Sequence, residues 1–222
     1  MIDKTQYKTI TFDCYGTLID WENGILGYLQ PMLQSYYVNV IDNYVLNLFA
    51  ELEPKAQDEG GSYSEVLGQV SQGFATRLGF TLNDEAKGEF ADSIQYWQPF
   101  ADAHDALHQL KSHFKLGVIS NIDNGLFAHS QRLLAVDFDH IITAEDVGAY
   151  KPNPSMFEAA LTESEGPVLH VAQSRFHDIL PASAVGLDTV WINRPGLSAA
   201  KRVDAEPTWT FDSLSEFVDA LA

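Results

Sequence analysis

The sequence predicts an α/β fold, a doubly wound parallel sheet with a block of helices inserted after its first strand. Three observations predict it. A short β-branched and apolar stretch, residues 9–12, lies near the start and ends in a turn. Residues 21–97 show helical spacing and no convincing strand. From about residue 98 helix and strand patterns alternate, which argues a parallel sheet with helices on both faces. The first strand must join that sheet. Residues 1–20 and 98–222 are therefore expected to form the core, and 21–97 an α-helical cap domain above the strand tips. A chain of 222 residues, 45% apolar and 20% charged, suits a globular body with a proper core.

Thr9-Ile10-Thr11-Phe12 is the first strand, and Asp13-Cys14-Tyr15-Gly16-Thr17 follows at once. The strand delivers the Asp13 carboxylate to its C-terminal tip, the edge where open parallel sheets bind ligands. Gly16 bends the chain and lets backbone approach a substrate closely. The next segment begins a helix at Trp21 that Pro31 should end or kink. Val45, Leu46, Leu48, Phe49 and Leu52 fall at helical spacing and run into Pro54. Ser62 and Glu65 have capping-box form, and the stripe Val66, Leu67, Val70, Phe74, Leu78 stops at Gly79. A fourth helix is expected over 84–96. Beyond Phe100, helices are expected over 104–110, 125–134, 154–161, 181–185 and 214–221, with strands over 116–121, 140–143, 168–172 and 189–192.

Charge excludes some functions. Thirteen basic against thirty-one acidic residues give a formal net charge of −18, a field that repels nucleic acid and anionic membrane. No apolar run approaches the ~18 residues of a spanning helix, and the N-terminal residues lack a basic stretch followed by an apolar one. A soluble, cytoplasmic protein is expected. The single cysteine, Cys14, excludes an internal disulfide and a multi-cysteine zinc site. Beside Asp13 it invites reading as a nucleophile, but a small buried hydrophobe is the better reading.

Each strand tip presents polar groups. The first carries Asp13, a carboxylate able to form an ester with a substrate, or else to cap its turn. The second carries Ser120 and Asn121, the third leads to Lys151 between Tyr150 and Pro152, and the fourth carries Gln173-Ser174-Arg175-Phe176-His177-Asp178. Alone, Lys151 reads as a surface lysine. Four such tips in this order favour an active site.

These residues resemble the haloacid dehalogenase superfamily along essentially the whole chain. Asp13 matches its nucleophile, Ser120 its second motif, Lys151 its third and Asp178 the acidic residue of its fourth. The resemblance implies a Rossmann-like core with a cap. Asp-x-Tyr-Gly-Thr, Ser120-Asn121 and Tyr150-Lys151-Pro152 look like the type II 2-haloacid dehalogenase branch. The superfamily's phosphatases carry a second Asp where Tyr15 stands, and Tyr, with an ordinary pKa near ~10, is a poor acid at neutral pH. They also bind magnesium through an Asp where neutral Gln173 falls. No metal and no other cofactor is therefore expected. Dehalogenases place an Arg in the early cap, whereas this chain has none between Asp13 and Arg77. The start Asp-Cys-Tyr-Gly-Thr-Leu-Ile-Asp-Trp-Glu is also similar to azetidine-2-carboxylate hydrolase of the same branch, whose leaving amine needs no halide site.

The resemblance implies a small-molecule carboxylate substrate and no nucleic-acid or membrane partner; a homodimer is expected from it alone. Asp13 would attack the α-carbon and water would then hydrolyse the ester. Ser120, Asn121 and amides after Asp13 would hold the carboxylate. Lys151 would keep Asp13 ionised, and Asp178 would position Lys151 or the water. Cys14 and Tyr15 would line the pocket. His177 reads as a base or a more distant support. Trp21 and Phe49 read as a water-excluding wall or as core packing.

Overall fold

The computed structural model describes residues 1–194 and 203–221. The chain begins with strand β1 (Thr9–Phe12) and passes into four helices, α1 (Trp21–Ser35), α2 (Asp42–Glu59), α3 (Tyr63–Leu78) and α4 (Ala86–Ser93). Helix α5 (Ala103–Lys111) leads to β2 (Lys115–Ser120), α6 (Asn124–Leu134) and β3 (His140–Thr143). Short α7 (Ala144–Val147) and α8 (Ser155–Glu163) precede β4 (Val168–Ala172). Then come α9 (Leu180–Ala184), β5 (Asp188–Ile192), β6 (Trp209–Phe211) and α10 (Leu214–Asp219).

All six strands are parallel, in the order β3-β2-β1-β4-β5-β6. This is the Rossmann-like order, and it reverses direction at β1, between β2 on one side and β4 on the other. Asp13 therefore stands beside the topological switch point. Alternation along β2 serves both faces. Leu116 and Val118 join one apolar cluster with Leu107, Leu110, Leu214 and Phe217, while Ile119 joins another with Met156 and Phe157.

The two prolines do not end their helices. Pro31 lies inside α1 and Pro54 inside α2. Each removes a backbone donor, at a cost of ~3 kcal/mol in an unsupported helix. Beyond Pro31, however, Met32 and Leu33 are buried, and each buried apolar side chain returns about 1.5–3 kcal/mol. The predicted fourth helix is α4 followed by a 3-10 turn, Ile94–Tyr96. The Ser62–Glu65 capping box and the left-handed Gly79 stop of α3 are both formed. Strand β6 and helix α7 were not expected, being too short to establish a period.

The outgoing and returning chains run side by side where the helical block begins and ends. Asp20 N donates to Gln98 O at 2.9 Å, and Phe100 N donates to Leu18 O at 2.9 Å. Asp123, ahead of α6, accepts from Tyr63 N at 2.7 Å and Ser64 N at 2.9 Å, capping α3 from the core side. No helix among the described residues is long and apolar enough to cross a membrane.

Candidate active site

The strand tips meet at a buried ion cluster. Asp13, held by its own N–H to Val171 O at 3.1 Å, ends β1 and is 7% exposed. Lys151 is 2% exposed and Asp178 fully buried. All three ammonium protons of Lys151 have acceptors: Asp13 Oδ1 at 2.8 Å, Asp178 Oδ1 at 2.6 Å and the Ile119 carbonyl at 2.8 Å. Such a charge is tolerable in the interior because it is paired and fully hydrogen-bonded. Asp178 reaches the cluster from a single π turn, Arg175–Ile179, which follows the end of β4 and starts from Ser174.

Burial pushes the Asp13 carboxyl up, against the pull of Lys151 and of the Thr17 hydroxyl. Asp178 also pays for burial, but Lys151 and His170 outweigh it and hold its carboxyl below the usual range. The attraction of both carboxylates overcomes burial at Lys151 and raises its ammonium.

Thr17 and His170 are functional candidates that the sequence reading passed over. Thr17 Oγ1 donates to Asp13 Oδ2 at 2.7 Å and accepts from Gln173 N at 2.9 Å. Its place in Asp-x-Tyr-Gly-Thr was the available signal. His170 lies in β4 with Nε2 3.2 Å from Asp178 Oδ1. In the sequence it looks like one more position of an apolar strand, so only the fold discloses it.

Several expected roles change. Both ends of the Asn121 amide are taken by the backbone of Lys151: Oδ1 accepts from its N–H at 2.6 Å, and Nδ2 donates to its carbonyl at 3.1 Å. Asn121 thus fixes Lys151 instead of facing a substrate. The amides of Gly16, Thr17, Leu18 and Ile19 are spent inside their own loop, on Ile19 O and Cys14 O, which leaves the amides of Cys14 and Tyr15 as the ones after Asp13 that can meet an anion. Cys14 is fully buried in the main apolar cluster, and burial pushes its thiol well up, opposite to what a nucleophile needs. Phe49, 1% exposed, packs its ring at 5.7 Å from that of Trp21 and so stands behind it. His177 has Nδ1 3.3 Å from Ser174 Oγ and its ring against Phe176; the imidazole on the carboxylate cluster is His170. Tyr15 places its hydroxyl 2.8 Å from Ser130 Oγ and its ring edge-on to Trp97. Burial holds its phenol neutral, well above its ordinary value.

Among the described residues, four buried polar atoms near the tips have no hydrogen-bond partner: Ser120 Oγ, Trp21 Nε1, Arg175 Nε and Asp178 Oδ2. A Cβ added to Gly16 would lie 3.0 Å from Trp21 Nε1 and 3.3 Å from Gln173 Oε1, so this glycine lets the three groups close together. Orphaned buried groups are costly, and donors and an acceptor left open beside an ion cluster suit a bound anion and water.

A doubly wound sheet with helices inserted after its first strand, and a carboxylate–lysine–carboxylate cluster at its strand tips, defines a class of hydrolases with a Rossmann-like core. Within that class the chain belongs to the haloacid dehalogenase-like hydrolases, whose family model matches residues 7–185. It is 32% identical over 149 residues to the (S)-2-haloacid dehalogenase of Pseudomonas putida, a match spanning 64% of each chain. It is 33% identical over 132 residues to the pyrimidine 5'-nucleotidase YjjG of Escherichia coli, covering 55% of this chain and 56% of that one. The L-2-haloacid dehalogenase of Xanthobacter autotrophicus, solved with chloropropionic acid covalently bound, superposes with a TM-score of 0.78 at 17% identity, over 96% of this chain and 97% of that one.

Magnesium, used by phosphatases of this superfamily, fits the donors poorly. Asp178 Oδ1 is already engaged by Lys151 and His170, and Gln173 is a neutral amide where a hard anionic ligand would be needed. Among the described residues, no group of three or more His, Cys, Asp and Glu side chains is arranged to hold a metal ion.

Proposed function

We propose that the protein is a metal-independent hydrolase of the 2-haloacid dehalogenase type, acting at the α-carbon of a small 2-substituted carboxylate. The observation that carries this reading is Lys151 bridging Asp13 and Asp178 while Tyr15 is tied to Ser130. The cluster offers a nucleophile and a second carboxylate, but no acid for a leaving alcohol. In the first step an Asp13 oxygen attacks the α-carbon and the bond to the leaving group breaks, its electron pair departing with that group. In the second, water adds to the ester carbonyl, the bond from acyl carbon to alkoxy oxygen breaks, and the 2-hydroxy acid leaves. Asp13 is returned with net release of one proton. Ser120 and Trp21 supply the open donors for substrate, and Asp178 Oδ2 the open acceptor for water.

The chain divides, in this reading, into a core of residues 1–20 and 98–222 and a cap of residues 21–97, with the substrate between them. A cytoplasmic location belongs to the same reading. A second leaving group is favoured by one observation. Arg77, the first arginine after Asp13, is spent on Glu51 at 2.6 Å on the surface, which leaves no arginine of the early cap for a halide. A protonated ring amine, as in azetidine-2-carboxylate, departs without one.

The deciding experiment offers chloroacetate, both 2-chloropropionate enantiomers and L-azetidine-2-carboxylate with EDTA present, and p-nitrophenyl phosphate with magnesium alongside. Turnover of a carboxylate in EDTA, abolished in Asp13→Asn, is expected. Halide release and ring opening separate the two leaving groups. Activity confined to the phosphate ester with magnesium overturns the proposal.

A further inference from the structure

His170 is buried and has no part in the two-step reading so far. It lies opposite Thr11 in the register of β4 and β1, and Thr11 Oγ1 is 2.9 Å from its Nδ1. Its Nε2 is 3.2 Å from Asp178 Oδ1, and the ring of Phe157 stands perpendicular to it at 5.2 Å. His170 is fully buried and Thr11 is 1% exposed.

This geometry fixes the proton. An ionised carboxylate has no hydrogen to give, so the bond to Asp178 requires Nε2–H, and in the neutral ring Nδ1 then accepts from the Thr11 hydroxyl. Oδ1 of Asp178 thus receives two donors, Lys151 and His170, while Oδ2 receives none. Lys151 is pinned to Asp13 and Ile119 and sets only one line of the pair. His170, anchored on the sheet through Thr11, supplies the second line, which stops the carboxylate from turning about its own bond.

We propose that His170 is the positioning residue for Asp178, holding Oδ2 bare toward the ester-hydrolysing water, so that it serves the second chemical step and not the first. The proposal deepens the two-step reading and rests on it. His170 bonds to Thr11 and Asp178 and not to Asp13, whose own oxygens are held for attack by Thr17 and Lys151.

The test is a rapid-quench experiment with L-2-chloropropionate on the wild type, His170→Phe and His170→Gln. The phenylalanine fills the space without a donor, whereas glutamine restores an N–H at about the reach of Nε2. The expected result for His170→Phe is a chloride burst of one per site at near wild-type rate. It should be followed by turnover at least about tenfold slower, with an ester mass on the Asp13 peptide. His170→Gln should recover most of the slow step. Burst and steady state falling together, or neither changing, overturns the positioning role. A second measurement needs no substrate: 15N–1H correlation spectra of the histidine-labelled wild type should give His170 as the Nε2–H tautomer, and the Nδ1–H tautomer overturns the proposal. If the wild type releases no chloride, the dehalogenase reading fails on its own, and the tautomer still decides the role of His170.

Discussion

Thr17 and Lys151 divide the two oxygens of Asp13 between them, and the division matters for attack. Lys151 supplies charge, while the Thr17 hydroxyl fixes the plane of the carboxylate and takes its own bond from Gln173 N. A hydrogen bond to a charged group contributes about 1.5–3 kcal/mol, roughly a 10- to 100-fold effect if felt wholly in the attacking step. Thr17→Val is therefore expected to slow single-turnover ester formation by about 10- to 100-fold, with Thr17→Ser close to wild type. An unchanged rate in Thr17→Val would leave Thr17 a packing residue. Asp13, Ser120, Lys151 and Asp178 were legible from their order along the chain. Asn121 was misread because its partner is the backbone of Lys151, which a sequence does not place beside it.

At the scale of elements, the seam between α2 and α3 carries a titration. Glu53 of α2 is half-buried and accepts from Gln57 Nε2 at 2.6 Å and Tyr63 Oη at 3.3 Å. Burial pushes its carboxyl up to about 7, against the pull of the Tyr63 hydroxyl. The folded chain thus holds a proton that the unfolded chain has released from its ordinary value of 4.5 upward. Stability contributed by this proton is full below that value and is lost as pH rises through about 7. Glu53→Gln should raise the unfolding free energy from urea titration at pH ~8 by an amount on the order of 1–2 kcal/mol, allowing for partial exposure, and much less at pH ~5. Equal gains at both would remove burial as the cause. Strands β3 and β4 were legible to the residue, because β-branched runs with turns on both sides have one reading. Helices α1 and α2 were not, since burial beyond a proline is a tertiary fact.

The molecule as a whole is strongly anionic, at −18, and the proposed substrate is an anion. Approach should therefore be opposed by the long-range field and eased by salt, whose screening length falls from about 30 Å at 0.01 M to about 8 Å at 0.15 M. For L-2-chloropropionate, kcat/KM should rise over that range while kcat stays level. A fall would argue against an anionic substrate, or for a local cationic entrance. The alternation of helix and strand foretold a parallel sheet, but not the strand order, because order depends on which way each crossover turns.

That order also has a consequence in time. The first strand made is the central one: Thr9 pairs with Lys115 on one side and Val168 on the other. At about 5–20 residues per second, β1 waits about 5–20 s on the ribosome for its first neighbour and longer for its second. Meanwhile the four inserted helices emerge, and their contacts within the block lie closer along the chain. The interruption that sets the nucleophile's strand apart from its sheet thus gives the nascent chain something to fold while that strand, unpaired on both edges, awaits its partners.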